Sequence, residues 1–144
     1  MNKLVIFSLL FFIPWLLSSQ ELNNNSSVNI ETDPEVIFYV SLNVFLEGPF
    51  QNGQMLSNLN KAKLLPLNQP FNVPPWNYNG TESVEIIPNG NVVDWVYIEL
   101  RNGLSPEEAT PETIFGKQAA FLLSSNKVVG LDGISPLVFD TTYT

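Results

Sequence analysis

The sequence contains no cysteine and no histidine. Without thiols or imidazoles, a Cys nucleophile, a His-based triad and any zinc site built on those ligands are excluded. Disulfides are excluded too, so stability has to come from packing, as a domain of this size can manage. Basic residues are few: 6 Lys and Arg against 14 Asp and Glu leave a net charge of −8. A surface of that sign repels phosphate backbones, and nucleic acid is not an expected partner. Also missing are a Gly-x-Ser-x-Gly elbow, a Gly-rich phosphate loop with its lysine and an EF-hand loop. No segment sustains a helical period, and no internal repeat or coiled-coil pattern is present. Carboxylates are what is left for catalysis.

What is present begins with a leader. Lys3 is the only charge before an apolar stretch from Leu4 to Leu17, which Ser18, Ser19 and Gln20 follow. The stretch is shorter than the roughly 20 apolar residues of a membrane span. Residues 1–19 are therefore expected to be a secretory signal peptide, which makes the protein secreted or displayed at the cell surface, with no stable membrane span in the mature chain. From Gln20 to Asp33, "QELNNNSSVNIETD" is polar and has no period, which predicts a flexible lead-in. Residues 34–144 then make one domain.

Its dominant pattern is a period of two. In "VIFYVSLNVFLE", residues 36–47, Val36, Phe38, Val40, Leu42, Val44 and Leu46 share one side, which predicts a long strand with one apolar face. Turn signals follow at Asn52-Gly53, Asn79-Gly80, Asn89-Gly90, Asn102-Gly103 and Asp132-Gly133, residues that tolerate the positive φ of tight turns. Asn89-Gly90 lies between "SVEII" and "VVDWVYIEL", and an antiparallel hairpin is expected there, with Pro88 closing its first strand. Four prolines in "KAKLLPLNQPFNVPPWNYNG", from Lys61 to Gly80, predict a long ordered surface loop or edge segment. "GLSPEEATPET" is a second loop in which Ser105 or Pro106 opens one helical turn. "IFGKQAAFLLSS" and "KVVGLDG" predict two strands joined at Ser124 to Lys127, and "PLVFD" a last one. Six to eight short strands with recurrent turns predict an all-β fold, an antiparallel β-sandwich or jelly roll.

The stretch richest in chemistry is "NVVDWVYIELRNG", residues 91–103. Alternation puts Asp94, Val96, Ile98 and Leu100 on one side, the expected core face, and Val93, Trp95, Tyr97, Glu99 and Arg101 on the other. Trp95 and Tyr97 can stack on sugar rings while Glu99 and Arg101 bond hydroxyls; the alternative is cross-strand packing beneath a loop, with Glu99 and Arg101 as a surface pair of little energy. Trp76 and Tyr78 of the proline-rich loop add amphipathic rings of the kind enriched in recognition surfaces, or else belong to a lid over the sheet. Asp94, at the rim of the core face, can accept backbone N–H groups of a neighbouring turn or join a calcium site, and Asp132 in "LDG" is the second acid with those two roles. No other cofactor is implied. A glycosidase pair would need two carboxyls across one cleft; Asp94 and Glu99, five positions apart on a strand, point to opposite faces, and only Glu47 or Asp132 would be left to complete such a pair.

Taken together, "VSLNVFLEGPFQNGQML", "LLPLNQPFNVPPWNYNGTESV", "NVVDWVYIELRNG" and "VVGLDGISPLVF" resemble a module of large secreted bacterial surface proteins, hemagglutinin-like or uncharacterised, that are exported by the type IX system. The resemblance covers about residues 40–139. Its most specific parts are Leu46 to Gly48, Asp94 to Arg101 and Leu131 to Gly133. Relatives continue with a further strand carrying a Tyr-rich start and an Arg- and His-rich motif; on that comparison the module looks truncated before its last strand, which would leave an open, pairing-prone edge. The resemblance implies a non-catalytic adhesion or glycan-binding module with glycans or other surface proteins as partners, and supplies no catalytic residues. The alternatives are a purely structural spacer or assembly domain and, further off, a carboxylate-based hydrolase or its accessory domain.

Overall fold

The computed structural model describes residues 6–10 and 35–142; the leader boundary at residue 19 and the lead-in over 20–33 lie outside them. At the centre are two ten-residue antiparallel strands, β5 (Val92–Arg101) and β6 (Ile114–Leu123). Their β-branched and aromatic residues suit a pleated surface covered on both sides. β6 pairs onward with the short antiparallel β7 (Val128–Val129), and β5 is flanked by the parallel β1 (Ile6–Leu10), giving the order β1-β5-β6-β7. A separate antiparallel ribbon joins β2 (Glu35–Val40) to β8 (Leu137–Thr142), and a small hairpin joins β3 (Phe50–Gln51) to β4 (Gln54–Met55). Among the described residues helix is limited to one turn, α1 (Asn58–Lys61), and the 3₁₀ turns Pro106–Glu108 and Pro111–Thr113. The protein is all-β, built mostly of antiparallel sheets. Among the described residues no helix is long and apolar enough to cross a membrane.

The β5–β6 pair is covered on both faces by different material. On one face, Val96, Ile98, Leu100, Ala120 and Leu122 pack against Val40, Val44, Leu137 and Phe139 from the β2–β8 ribbon and the segment after β2. On the other, Val92, Trp95, Tyr97, Ala119 and Phe121 pack against Leu65, Phe71 and Tyr78 of the proline-rich loop. Gly116 is what lets the ribbon come close: a Cβ there would lie 3.0 Å from the Phe139 ring and 3.2 Å from Leu100 Cδ1.

Two bulges set which residue faces which side. On β5, Val92 pairs with Leu123 and Asp94 with Leu122, so Val93 is an extra residue. Alternation places Val93 with Trp95, but the bulge rotates it into the aliphatic interior with Val96. At the other end Leu100 pairs with Gly116 and Arg101 with Ile114, leaving Phe115 extra on β6. Phe115 accordingly packs toward the ribbon, its ring 5.6 Å from that of Phe38.

The long strand expected over 36–47 ends at Val40, yet its apolar face persists. Val40 and Val44 are buried and Leu42 and Leu46 half-buried, while Ser41, Asn43 and Phe45 are exposed. The chain past Val40 leaves β8 and runs beside β7 instead, with Val128 N–H donating to Leu42 O (3.0 Å) and Val44 N–H to Asn126 O (2.7 Å). The periodicity followed burial, and burial continued across a change of partner.

The Asn-Gly signals divide. Asn52 (φ 51°) and Gly53 (φ 81°) form the tight β3–β4 turn with positive φ at both residues, as a type I′ turn requires. Around Asn89-Gly90 the expected hairpin does not form: β5 takes β6 and β1 as neighbours, and Val84 and Gln69 instead bond across the loop to Leu67 O (2.9 Å) and Glu82 O (3.0 Å). Asn89 closes a different contact. Its Oδ1 accepts Asn91 N–H (2.9 Å) and its Nδ2 donates to Gly133 O (3.2 Å), tying this turn to the "LDG" turn.

Candidate functional site

The segment between α1 and β5 carries too many prolines to donate a regular ladder, so side chains satisfy much of its backbone. Gln69 is the clearest case. Buried at 6% exposure, its Nε2 donates to Gly80 O (2.9 Å) and Tyr78 O (3.4 Å), while its Oε1 accepts Phe71 N–H (2.6 Å). One amide thus pins both strands of the loop to each other. The Trp95 indole does the same from the sheet, its Nε1–H donating to Pro66 O (2.9 Å).

Glu82 joins the loop to β6. Its Oε1 accepts the Tyr78 hydroxyl at 2.5 Å and Ala119 N–H at 3.0 Å; its Oε2 is buried and has no hydrogen-bond partner. Gly80 makes room for this contact: a Cβ there would overlap both the Tyr78 ring and Glu82 Oε2, each 2.2 Å away. Tyr78 stacks at a tilt on Tyr97 with ring centroids 4.8 Å apart, and Tyr97 in turn donates its hydroxyl to Glu99 Oε1 (3.0 Å). Burial, then the hydrogen bond to a carboxylate and its negative charge, push both phenols above the ordinary tyrosine range: Tyr78 through Glu82 and Tyr97 through Glu99. Two Tyr–Glu pairs therefore sit back to back beneath the loop.

Over the Tyr78–Glu82 pair opens a polar cavity of about 440 Å³. Asn68, Gln69, Asn72 and Asn79 bring amides to its wall, Thr81 a hydroxyl and Glu82 its carboxylate, with Tyr78 and Gly80 completing the lining. Amides present donors and acceptors together, which matches a ligand rich in hydroxyls better than a charged or apolar one.

The structure separates the residues singled out by the sequence. Trp95 (3% exposed), Tyr97 (1%) and Tyr78 (8%) are interior rings; Trp95 lies 4.2 Å from Phe121, and Tyr97 lies 5.6 Å from Phe71. Trp76 is half-buried with its edge toward Phe71 (5.6 Å), and its indole N–H is buried with no hydrogen-bond partner. Glu99 is buried, and Arg101 clamps it through Nε (3.1 Å) and Nη2 (2.5 Å) while Nη1 donates to Ala109 O (2.8 Å), which fastens the loop after β5. The surface pair expected of Glu99 and Arg101 is thus a largely buried clamp, tied to Tyr97 on one side and to the loop after β5 on the other. Asp94 is buried and its Oδ1 accepts Trp95 N–H (2.9 Å). Asp132 is exposed; its Oδ1 accepts Ile134 and Ser135 N–H (both 2.9 Å), its Oδ2 accepts the Ser135 hydroxyl, and these bonds, the Ser135 hydroxyl first, hold its carboxyl below the usual range. Among the described residues no cluster of three or more Asp or Glu is arranged to hold a metal ion.

Sequence reasoning missed Gln69 and Glu82. Neither stands in a patterned run, and a polar residue in a loop reads as solvated; only the low helix and strand propensity of the surrounding prolines hinted that side chains would have to satisfy the backbone there. No family model, curated protein or solved structure matches the chain.

Proposed function

We propose that the protein is a secreted, non-catalytic β-sandwich module of a cell-surface or adhesin-like protein, and that it binds glycans through the amide-lined cavity over Tyr78 and Glu82. The observation that carries the reading is the concentration of the exposed Asn68, Asn72, Asn79 and Thr81 around one opening of about 440 Å³, with Gln69 and Glu82 fixed beneath them. Packing of the β2–β8 ribbon over β5–β6 supports the two-layer fold. The leader and the resemblance to type IX-exported surface modules support export. The carboxylate geometry favours binding over hydrolysis. Glu99 is held by Arg101 and Tyr97, and Glu82 is the one carboxylate among the residues lining the cavity, where a glycosidase pair would need two. A general acid or base has to be free to exchange its proton with substrate.

A glycan array probed with the full chain tests this. Binding to at least one neutral or amino-sugar oligosaccharide is expected, and replacing the exposed pair Asn68→Ala and Asn72→Ala is expected to weaken it about tenfold, two lost hydrogen bonds at ~0.5–1.5 kcal/mol each. No binding on the array, or binding indifferent to the pair, removes the glycan assignment. A second reading, a structural spacer or assembly domain, is favoured by one observation. The outward face of the β2–β8 ribbon carries Ile37 (50% exposed), Tyr39 (72%) and Val138 (43%), with Tyr39 opposite Val138 in register.

A further inference from the structure

The central strand β5 has two hydrogen-bonding edges, and they are filled very differently. Along its whole length it pairs with β6; along its other edge, from Tyr97 to Arg101, it pairs in parallel with Ile6–Leu10, register Ile6↔Tyr97 through Leu10↔Arg101. That second neighbour falls inside the stretch expected to be removed as a leader. Parallel neighbours normally come from a crossover within the domain. Here the neighbour is a segment of "VIFSLL" with no charge. Its removal would strip the central strand of the sheet of a partner at five consecutive positions, in a place where the flanking side chains are interior: Tyr97, Ile98, Glu99 and Leu100 are each 8% exposed or less.

We propose that this edge of β5 is an acceptor slot for a donated strand, occupied by the leader before cleavage and afterwards by an extended, uncharged apolar segment of another polypeptide, inserted parallel to β5. The proposal rests on the leader being removed on export. Three observations choose the occupant. The chain's own segment seated in the slot fixes its chemistry, direction and length at five residues. The segment that follows the leader, from Gln20 to Asp33, is "QELNNNSSVNIETD", too polar to take its place in an interior position. The remaining apolar strands are committed, β2 to β8 and β7 to β6. An exposed edge of this kind recruits a strand through main-chain bonds, with specificity from alternate side chains.

Hydrogen exchange read by mass spectrometry over residues 92–101 tests it, on three forms: the full chain, the full chain carrying Phe7→Pro and Leu9→Pro, and the chain recovered from the secreted fraction. Proline has no N–H and cannot hold the β1 position. The probe is a synthetic peptide of residues 5–11 with a short lysine tail, against the same peptide with proline at the Phe7 and Leu9 positions. Expected is exchange over 92–101 about tenfold or more faster in the proline variant and in the secreted chain than in the full chain. The wild-type peptide should restore protection and the proline peptide should not. A secreted chain that is unfolded alone and folds with the peptide has the same meaning. Protection that is equal in all three forms without peptide, restoration by both peptides, or an unfolded chain that neither peptide rescues overturns the slot. Protection that rises with the concentration of the chain itself, together with dimer formation, overturns the separate donor in favour of a second copy. N-terminal sequencing of the secreted chain reads leader removal independently: an intact Met1 end refutes the export reading on which the donor depends, whatever the exchange data show.

Discussion

The two faces of the β5–β6 pair solve the same burial problem with opposite means. The ribbon side brings its own backbone pairing, so its interior can be mostly apolar, Val96, Ile98, Leu100, Ala120 and Leu122 against Val40, Leu137 and Phe139, with Asp94 and Gln118 as polar side chains on that face of the pair. The loop side arrives with its backbone largely unpaired. It therefore has to bring Gln69, Glu82 and Tyr78 inside, and to recruit Trp95 and Arg101 from β5 as donors to Pro66 and Ala109. Regular cover leaves a mostly apolar interior, whereas irregular cover imports polar groups to satisfy its own backbone. The polar cavity over Tyr78 and Glu82 follows from the second arrangement.

The comparison breaks first on the aliphatic side. Ile98→Ala removes a side chain with no exposure from the close-packed apolar layer beneath the ribbon, and is expected to cost about 2–5 kcal/mol, read from urea unfolding. Gln69→Ala attacks the loop instead and should cost less, about 1–3 kcal/mol, because it leaves two carbonyls and an N–H without their partner while the apolar contacts survive. Its distinguishing mark is local: amide protection should fall over residues 66–84 and stay unchanged in the β2–β8 ribbon. Equal loss of protection on both faces would show that loop and ribbon unfold as one unit.

The smallest effect is a pH dependence confined to the loop face. Tyr78 and Tyr97 are held protonated by burial and by their carboxylate partners, so the folded chain keeps protons that an unfolded tyrosine releases near pH 10. Above that pH the unfolded state binds fewer protons, and stability should fall as pH rises, having been fully present below it. Urea unfolding at pH 8 and at pH 11 should show the drop in the wild type, and Tyr97→Phe should flatten it. An unchanged slope in that variant would mean that alkaline loss arises elsewhere.

How much of this the sequence disclosed depends on which force decided each element. Where burial decided, alternation was enough: the apolar face from Phe38 to Leu46 was readable even though its hydrogen-bond partner changes at Ser41. Where local backbone geometry decided, residue type was enough, as at Asn52-Gly53. The same dipeptide at Asn89-Gly90 misled because a hairpin needs two strands free to pair, and Pro88, with the loop bonds of Val84 and Gln69, commits the preceding segment elsewhere. Trp95 and Tyr97 showed their shared face but not whether it was covered, since cover depends on a loop some 20 residues away in sequence. Glu82 had no local signal at all; its role exists only because Ala119 N–H, from the far side of the sheet sequence, points at it.

The bulge at Val93 has a further consequence for how the chain tolerates changes in length. Elsewhere in β5, adding or deleting one residue would exchange its two interiors, sending aromatic rings into the aliphatic layer and aliphatic side chains beneath the loop. At Val93 the ladder already carries a residue its partner strand does not match. Losing that residue would close the irregularity and leave every pair from Asp94 to Arg101 in register. The strand that is most constrained in what it contains is thus most forgiving, at one point, in how long it is.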